Sequence, residues 1–175
     1  KTIQTQANDL VEDKVGEINS ITERIAALNG EIASAEAVKG QNANDLRDSR
    51  DLLVKELNTI INVNSYEDPN HNLMVETEGA VLVAATKSIP ITTSRNAQGF
   101  VVPAESKTNT PLIISDGELK GVLDARDVYL NNAIDSMDTL ASSLINNVNR
   151  IHAQGSALNG VENLTGSTRI GNTAV

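Results

Sequence analysis

The sequence contains no cysteine and no tryptophan, and only one phenylalanine and two tyrosines among its 175 residues. The absence of cysteine excludes disulfides, thiolate nucleophiles and thiolate metal ligands. Because aromatic residues are so scarce, the core must be built from Leu, Ile, Val and Ala. Such residues suit long helices that pack along a narrow seam, so we expect an elongated molecule.

Basic residues are also in short supply, with 14 Lys and Arg against 23 Asp and Glu and a formal net charge of -9. An acidic chain without Lys/Arg clusters repels phosphate backbones, so nucleic acid is not an expected partner. No apolar run is as long as the roughly 18 residues that a transmembrane helix needs. No stretch has the charged start followed by an apolar segment that is typical of a signal peptide. We therefore expect neither membrane insertion nor a cleaved signal peptide.

Residues 1–62 have the pattern of a helical hairpin. From Leu10 to Ala35, apolar residues recur at alternating spacings of three and four, which is the period of a coiled-coil seam. Gly40 and the Asn-rich turn after it indicate the end of this helix, and Asn44 is a suitable N-cap for the next. Two helices joined by a short turn are expected to pack antiparallel.

Residues 63–114 have the pattern of a small β insertion. Short runs of β-branched and apolar residues alternate with segments rich in turn-forming residues, which is typical of strands and hairpins. Pro90, Pro103 and Pro111 restrict these strands to sheet edges or strand ends. We predict antiparallel pairing between them.

Residues 115–154 predict a long third helix that completes the bundle. Ser115 and Glu118 fit a capping box at its start, and apolar residues recur every seven positions from Leu123 to Ile151. A helix of about 37 residues would be roughly 55 Å long. The predicted fold is therefore α+β but mainly α, an elongated antiparallel helical bundle or coiled coil of three long helices with a small antiparallel β insertion.

Residues 155–175 are rich in Gly, Asn, Ser and Thr and have no strong period. We expect them to form a loop, or the start of a next region that is truncated here.

The pattern Asp-x-Arg-Asp occurs twice, with residues Asp48, Arg50 and Asp51 in the first copy and Asp124, Arg126 and Asp127 in the second. Adjacent helical residues point in different directions, so neither arginine faces the aspartate beside it. Both arginines fall within an apolar stripe, where a guanidinium needs carboxylate or carbonyl partners. We predict that these six residues form structural ion pairs, with the two motifs paired across the interface of the second and third helices.

Neither motif has the residues that catalysis requires. No His or Cys lies near them in the sequence, and an arginine stays protonated near neutral pH, so it cannot act as a base. His71 and His152 are distant in sequence and lack the spacing of metal ligands. No phosphate-binding loop, nucleophile elbow or calcium loop occurs. We therefore predict a protein that is not an enzyme and has no catalytic residues, cofactor or metal.

Four stretches resemble the family of flagellar hook-associated protein 1, the hook-filament junction proteins. Two of them, INSITERIAALNGEI and NDLRDSRDLLVKELN, are similar to the helical hairpin of that family. The other two, DGELKGVLDARD and NNVNRIHAQGSALNG, are similar to its pattern of Gly-x-Leu then Arg-Asp, ending here in Asn149, His152, Gly155 and Gly160. The likeness covers about residues 10–160.

This resemblance implies a structural subunit of the bacterial flagellum at the hook-filament junction. The implied partners are copies of itself in a ring, the hook protein and the second hook-filament junction protein. The implied location is extracellular, after export through the flagellar type III apparatus without a cleaved signal peptide. The assembly segments at the two ends of family members are missing, so the resemblance implies an internal fragment.

Two other interpretations remain open at the level of sequence. An extracytoplasmic sensor domain would use a similar helical bundle to bind a small ligand, and its parent sequence would carry transmembrane segments on both sides. A phage or secretion-system tail component would share the assembly by helical packing, and its gene neighbourhood would distinguish it.

Overall fold

The computed structural model describes residues 2–37, 42–69 and 71–154. Helix α1 covers Thr2–Glu36 and helix α2 covers Asn44–Ile60. Six strands follow, namely β1 Asn64–Glu67, β2 Leu73–Thr77, β3 Ala80–Ala84, β4 Lys87–Ser88, β5 Ile91–Arg95 and β6 Val101–Glu105. Helix α3, Glu118–Asp124, leads through a π-helical segment, Ala125–Tyr129, into helix α4, Leu130–Gln154. The protein is thus mainly helical with small antiparallel sheets, which confirms the broad fold class. The expected tail segment, 155–175, lies outside the described residues.

The strands form two antiparallel sheets. Strands β1 to β4 pair in sequential order, and β5 pairs with β6 as a separate hairpin. Pro103 lies in β6 opposite Thr93. The carbonyl of Pro103 accepts from the N–H of Leu112, so the polar groups of this residue face away from β5 and its missing N–H costs no bond between β5 and β6.

Helix α1 is the element against which most other elements of its unit pack. It contacts α2, α3 and strands β2 to β6. The predicted seam of α1 is confirmed, since its buried apolar residues are Val11, Val15, Ile18, Ile21, Ile25, Ala26 and Ile32. The same core receives Leu53, Leu57 and Ile60 from α2 and Leu73, Val75 and Leu82 from the larger sheet. Each fully buried aliphatic side chain of this size contributes about 1.5–3 kcal/mol, so this cluster is the main source of stability.

The chain divides into two compact units, residues 1–126 and 127–175. The first unit contains α1, α2, both sheets and α3, and the second contains α4. In the second unit the predicted seam is exposed: Met137, Leu144 and Ile151 keep 70%, 62% and 63% of their surface accessible. Among the described residues, no helix is both long and apolar enough to cross a membrane.

The predicted third helix is helical from Glu118 to Gln154, but its hydrogen-bonding pattern changes along the way. A π-helical segment separates α3 from α4, and it contains the buried Arg126. In such a segment the backbone bonds to the fifth preceding residue instead of the fourth, which changes the angular position of the side chains that follow. A heptad pattern counted through this segment therefore does not describe one continuous face.

Two predicted helix caps are also wrong. Asn44 is the first residue of α2, and the preceding Ala43 provides no side-chain cap. Ser115 donates its hydroxyl hydrogen to Glu78, at 2.9 Å, and does not cap α3. Helix α3 instead begins after Gly117, which has a φ of 95° and no side-chain cap.

Gly117 is held where any other residue would collide with backbone. A Cβ atom built on it would lie 2.6 Å from the carbonyl oxygen of Ile60. Because its φ is also positive, both space and backbone conformation favour glycine here. The start of α3 is therefore placed directly against the C-terminal end of α2.

We expect Gly117→Ala to destabilise the protein more than Gly79→Ala. Both glycines have nearly the same positive φ, 95° and 93°, but a Cβ at Gly79 would meet nothing within 4 Å. Both variants suffer the same conformational strain. The additional loss in the free energy of unfolding for Gly117→Ala, at least about 2 kcal/mol, therefore measures the collision with Ile60. Urea unfolding at pH 7 measures the difference. Equal losses in the two variants would contradict the close approach.

Candidate functional site

Arg50 is buried inside the first unit, with 2% of its surface exposed. One terminal nitrogen donates to the carboxylate of Glu67 on β1. The other donates to Oδ1 of Asn29, at 2.8 Å, and to the backbone carbonyl of His71, at 3.3 Å. The guanidinium thus joins α1, α2 and β1. The predicted burial of this arginine is confirmed, and its carboxylate comes from a strand.

Arg47 extends this network to the end of α1. Its Nε and Nη2 atoms bind the two carboxylate oxygens of Glu36, at 3.0 and 2.8 Å, in the bidentate arrangement that suits a guanidinium. Its Nη1 donates to Glu67, at 2.9 Å. Glu36, Arg47, Glu67 and Arg50 therefore form one chain of alternating charges.

The charges of this network change the titration of its carboxyl groups. Hydrogen bonds from Arg47, and next from the backbone N–H of Ala43, lower the pKa of Glu36 from 4.5 to about 2. Burial raises the pKa of Glu67, but the hydrogen bond from Arg50 and the charges of Arg47 and Arg50 outweigh it and lower the pKa overall. Both carboxylates are consequently ionised at neutral pH, as the arginines require.

Arg126 is fully buried at the other end of α1. Its Nη1 donates to Oδ1 of Asn8, at 3.0 Å, and to the backbone carbonyl of Val101. Its guanidinium carbon lies 4.9 Å from the centre of the Phe100 ring, which is a cation-π contact. The predicted burial is again confirmed, and the bound groups lie on α1 and at the start of β6.

Three asparagines of α1 bind the backbone of strands through their side-chain amides. Asn19 accepts from the N–H of Ile91 and donates to its carbonyl, at 2.9 Å in both directions. Asn29 does the same with Leu73, at 3.1 and 2.8 Å, while Asn8 accepts from the N–H of Val101 at 3.1 Å. The amides of Asn19 and Asn29 thus act like the peptide group of a neighbouring strand, and Asn8 supplies the acceptor alone. These side chains attach the sheets to a helix.

Asn29 is the most heavily bonded of the three. Besides Leu73 and Arg50, it donates to the carbonyl of Ala85 at 2.7 Å. Its oxygen accepts two hydrogen bonds and its nitrogen donates two, so the whole capacity of the amide is used in the interior. It joins the buried arginine to the β2–β3 hairpin.

The predicted pairing of the two Asp-x-Arg-Asp motifs with each other is wrong. Asp48 and Asp51 are exposed on the outer side of α2. Asp124 is bound by Lys120 four residues earlier in α3. Glu67 provides the carboxylate for Arg50, so the carboxylate that binds this arginine lies outside the motif. The backbone carbonyl of Asp127 accepts from Asn131 in the next turn.

The histidines lie apart, as their sequence positions imply. His71 follows β1 with its Nδ1 3.6 Å from Glu67, and His152 is exposed on α4. Within residues 2–37, 42–69 and 71–154, no group of three or more His, Asp or Glu side chains is arranged to hold a metal ion.

Sequence reasoning missed Glu67, which binds Arg50, and the three asparagines of α1 that bind the strands. Asn8, Asn19 and Asn29 recur at intervals of ten or eleven residues, about three helical turns, which keeps them on one side of α1. Their recurrence within an apolar stripe was the available signal. No sequence pattern marks Glu67 as the partner of Arg50, because the turn after α2 and the start of β1 bring the two residues together.

The chain belongs to the family described as "Flagellar hook-associated protein FlgK helical domain", whose model matches residues 1–167. Flagellar hook-associated protein 1 of Salmonella typhimurium strain LT2 is 29% identical over 160 residues, covering 86% of this chain and 29% of that protein. The Escherichia coli K12 protein of the same name is 28% identical over 165 residues, covering 89% of this chain and 30% of its own length. The chain thus spans under a third of these relatives.

A solved structure is also similar. It is described as the structure of the flagellar hook junction protein FlgK from Burkholderia pseudomallei, and it matches with a TM-score of 0.61 and 27% identity. The match covers 71% of this chain and 24% of that one. The family resemblance read from the sequence is therefore confirmed.

The depressed pKa of Glu36 predicts a loss of stability in acid. A carboxyl group whose pKa falls from 4.5 to about 2 on folding stabilises the protein above pH 4.5, and this contribution disappears as pH falls towards 2. We expect Glu36→Gln to lower the urea midpoint at pH 7 and to flatten its pH dependence between 4.5 and 2. The control is Glu23→Gln, an exposed position on the same helix. Parallel pH profiles for the two variants would refute the prediction.

We expect Asn29→Leu to be among the most destabilising single changes on α1. It leaves the N–H of Leu73, two backbone carbonyls and part of Arg50 without a partner in the interior. The loss should reach about 3 kcal/mol or more. Ser20→Leu introduces the same side chain at an exposed position of α1 and should change the free energy of unfolding by less than about 0.5 kcal/mol. Similar urea midpoints for the two variants would contradict the role given to Asn29.

Proposed function

We propose that this chain is the helical part of a structural subunit at the hook-filament junction of a bacterial flagellum. The observation that carries this proposal is the family match over residues 1–167. The names of the relatives, flagellar hook-associated protein 1 and flagellar hook junction protein, agree with it.

The buried polar groups favour a structural role over a catalytic one. Arg50 and Arg126 are enclosed and bound by oxygen atoms of the chain itself, so their charge is used to align elements. A guanidinium held in this way has no free geometry for a substrate and stays protonated. We accordingly propose that the subunit is not an enzyme and uses no cofactor.

In the assembled flagellum we propose the finer arrangement expected from the sequence. The hairpin 1–62 and the third helical segment 115–154 would form an elongated three-helix coiled-coil bundle, with the insertion 63–114 attached to α1. The asparagine contacts from α1 to the strands support this attachment. The exposed apolar side chains of α4 support a bundle that closes only on assembly.

The proposed partners are copies of the same subunit arranged in a ring, the hook protein and the second hook-filament junction protein. The proposed location is outside the cell, in the flagellum, after export. Because this chain spans under a third of the curated relatives, these partners belong to the proposal for the whole protein.

Immunogold electron microscopy tests the location directly. Antibodies raised against this chain are expected to label flagella of the source organism in a narrow band between hook and filament. Flagella prepared from a strain that lacks the gene provide the control for specificity. Labelling along the filament, or labelling confined to the cell envelope as the sensor interpretation requires, would overturn the proposal.

A further inference from the structure

Asn29 is followed by Gly30, and an asparagine before a glycine is the pair most prone to lose its side-chain amide. In an unfolded chain the backbone nitrogen of the glycine loses its proton to base and attacks the side-chain carbonyl carbon of the asparagine. A carbon–nitrogen bond forms, ammonia leaves, and a five-membered succinimide results. Water then opens this ring at either of its carbonyls, which gives aspartate or isoaspartate. Glycine favours the reaction because it has no Cβ to shield its nitrogen.

The folded protein blocks this reaction around Asn29. Gly30 lies inside α1, where a helical N–H is held by the carbonyl four residues earlier and does not give up its proton. The leaving nitrogen of Asn29 donates to the carbonyls of Leu73 and Ala85, at 2.8 and 2.7 Å. The donors on its oxygen, from Leu73 and Arg50, polarise the side-chain carbonyl, so protection must come from the helix and from exclusion of water. Only 1% of the surface of Asn29 is exposed, which keeps water and base out.

The fold itself does not require glycine at position 30. A Cβ built on Gly30 would meet the Cγ2 atom of Thr86 at 3.8 Å, which is an ordinary van der Waals contact. Alanine is also the better helix former. Gly30→Ala therefore preserves the folded protein but shields the backbone nitrogen of the unfolded chain. Gly16 offers a matched position on the same helix, because a Cβ there would meet nothing within 4 Å and the residue before it is Val15.

Neither product of the reaction fits the place that Asn29 occupies. An ionised aspartate accepts hydrogen bonds but donates none. The oxygen that replaces the amide nitrogen would therefore face the carbonyl oxygens of Leu73 and Ala85, which that nitrogen now binds. Isoaspartate also carries the main chain through its Cβ, which adds one backbone atom and interrupts the helix. Either product breaks the bonds that join α1 to the β2–β3 hairpin.

We propose that Asn29 and Gly30 form a site of covalent modification that is closed in the folded protein and open in the unfolded chain. Water is the co-reactant and ammonia is the product that leaves. A copy that stays unfolded is converted, and a converted copy no longer completes the interior of the first unit. The pair thus limits the time for which a chain can remain unfolded and still fold.

Mass spectrometry of tryptic peptides tests the difference in reactivity. The full chain is incubated at mildly alkaline pH, either folded or in guanidinium chloride, and the conversion of Asn29 is followed. We expect conversion to be at least about tenfold faster in the denatured chain, where the reacting atoms can meet. Rates within about twofold of each other would overturn the proposal.

The sequence contains a second Asn-Gly pair, at 159–160, which lies outside the described residues. It provides the reference in guanidinium chloride, where both pairs should convert at similar rates because neither is protected. Conversion of Asn29 at less than about a tenth of the rate of Asn159 under these conditions would count against an open site in the unfolded chain.

A partition experiment tests the consequence for folding. The denatured chain is incubated until about half of Asn29 is converted, the denaturant is diluted, and folded protein is separated from unfolded and aggregated chains by size-exclusion chromatography. The folded fraction should contain at least about fivefold less converted Asn29 than the remainder, because the product lacks the donors that the interior needs. Equal contents in the two fractions would contradict the proposal.

Two glycine variants separate this site from every other change that occurs during the incubation. After it, Gly30→Ala should refold with at least about twice the yield of Gly16→Ala, since only Gly30→Ala shields the reactive nitrogen. Both variants add the same methyl group to α1, so an effect on the helix would act on both. Equal yields for the two variants would overturn the proposal.

Discussion

A helix satisfies its own backbone hydrogen bonds, whereas the edge of a β-strand does not, and this difference governs how the first unit is held together. Helix α1 has no free backbone donors or acceptors to offer along its middle. It contacts five strands, so the connection must come from side chains. Asn8, Asn19 and Asn29 provide it, since an amide side chain carries the same donor and acceptor as a peptide group. The apolar residues between them add the energy of burial.

The two buried arginines extend the same principle. Burying a guanidinium costs several kcal/mol unless its donors are bound, so each arginine demands well-placed oxygen atoms. Arg50 obtains them from Asn29, Glu67 and a backbone carbonyl, while Arg126 uses Asn8 and the carbonyl of Val101. Each arginine is thus linked to an asparagine that also binds a strand. A shift of α2 or α3 along α1 would break several of these bonds at once, which specifies the register.

Local patterns predicted the elements well and the partners poorly. The seam of α1, the strand-rich middle and the burial of both arginines follow from spacings of three, four and two, which the sequence displays directly. The carboxylate that binds Arg50 does not follow from such spacings. It belongs to Glu67, which the turn after α2 and the start of β1 bring to the arginine. The capping box at Ser115 failed for a related reason. Gly117 had to approach Ile60, and this tertiary contact determined where α3 begins.

The asparagine contacts also determine when this protein can fold. Asn19 binds Ile91, which lies 72 residues further along the chain. Asn8 binds Val101 and Arg126, which lie 93 and 118 residues further along. Closing such long loops costs conformational entropy before the contacts that stabilise them can form. We therefore expect this chain to fold more slowly than helical proteins whose contacts are local. A nascent chain that ends before Arg126 can form α1 and α2 but cannot complete the interior. The last side chain to be synthesised in this unit is therefore the one that closes it.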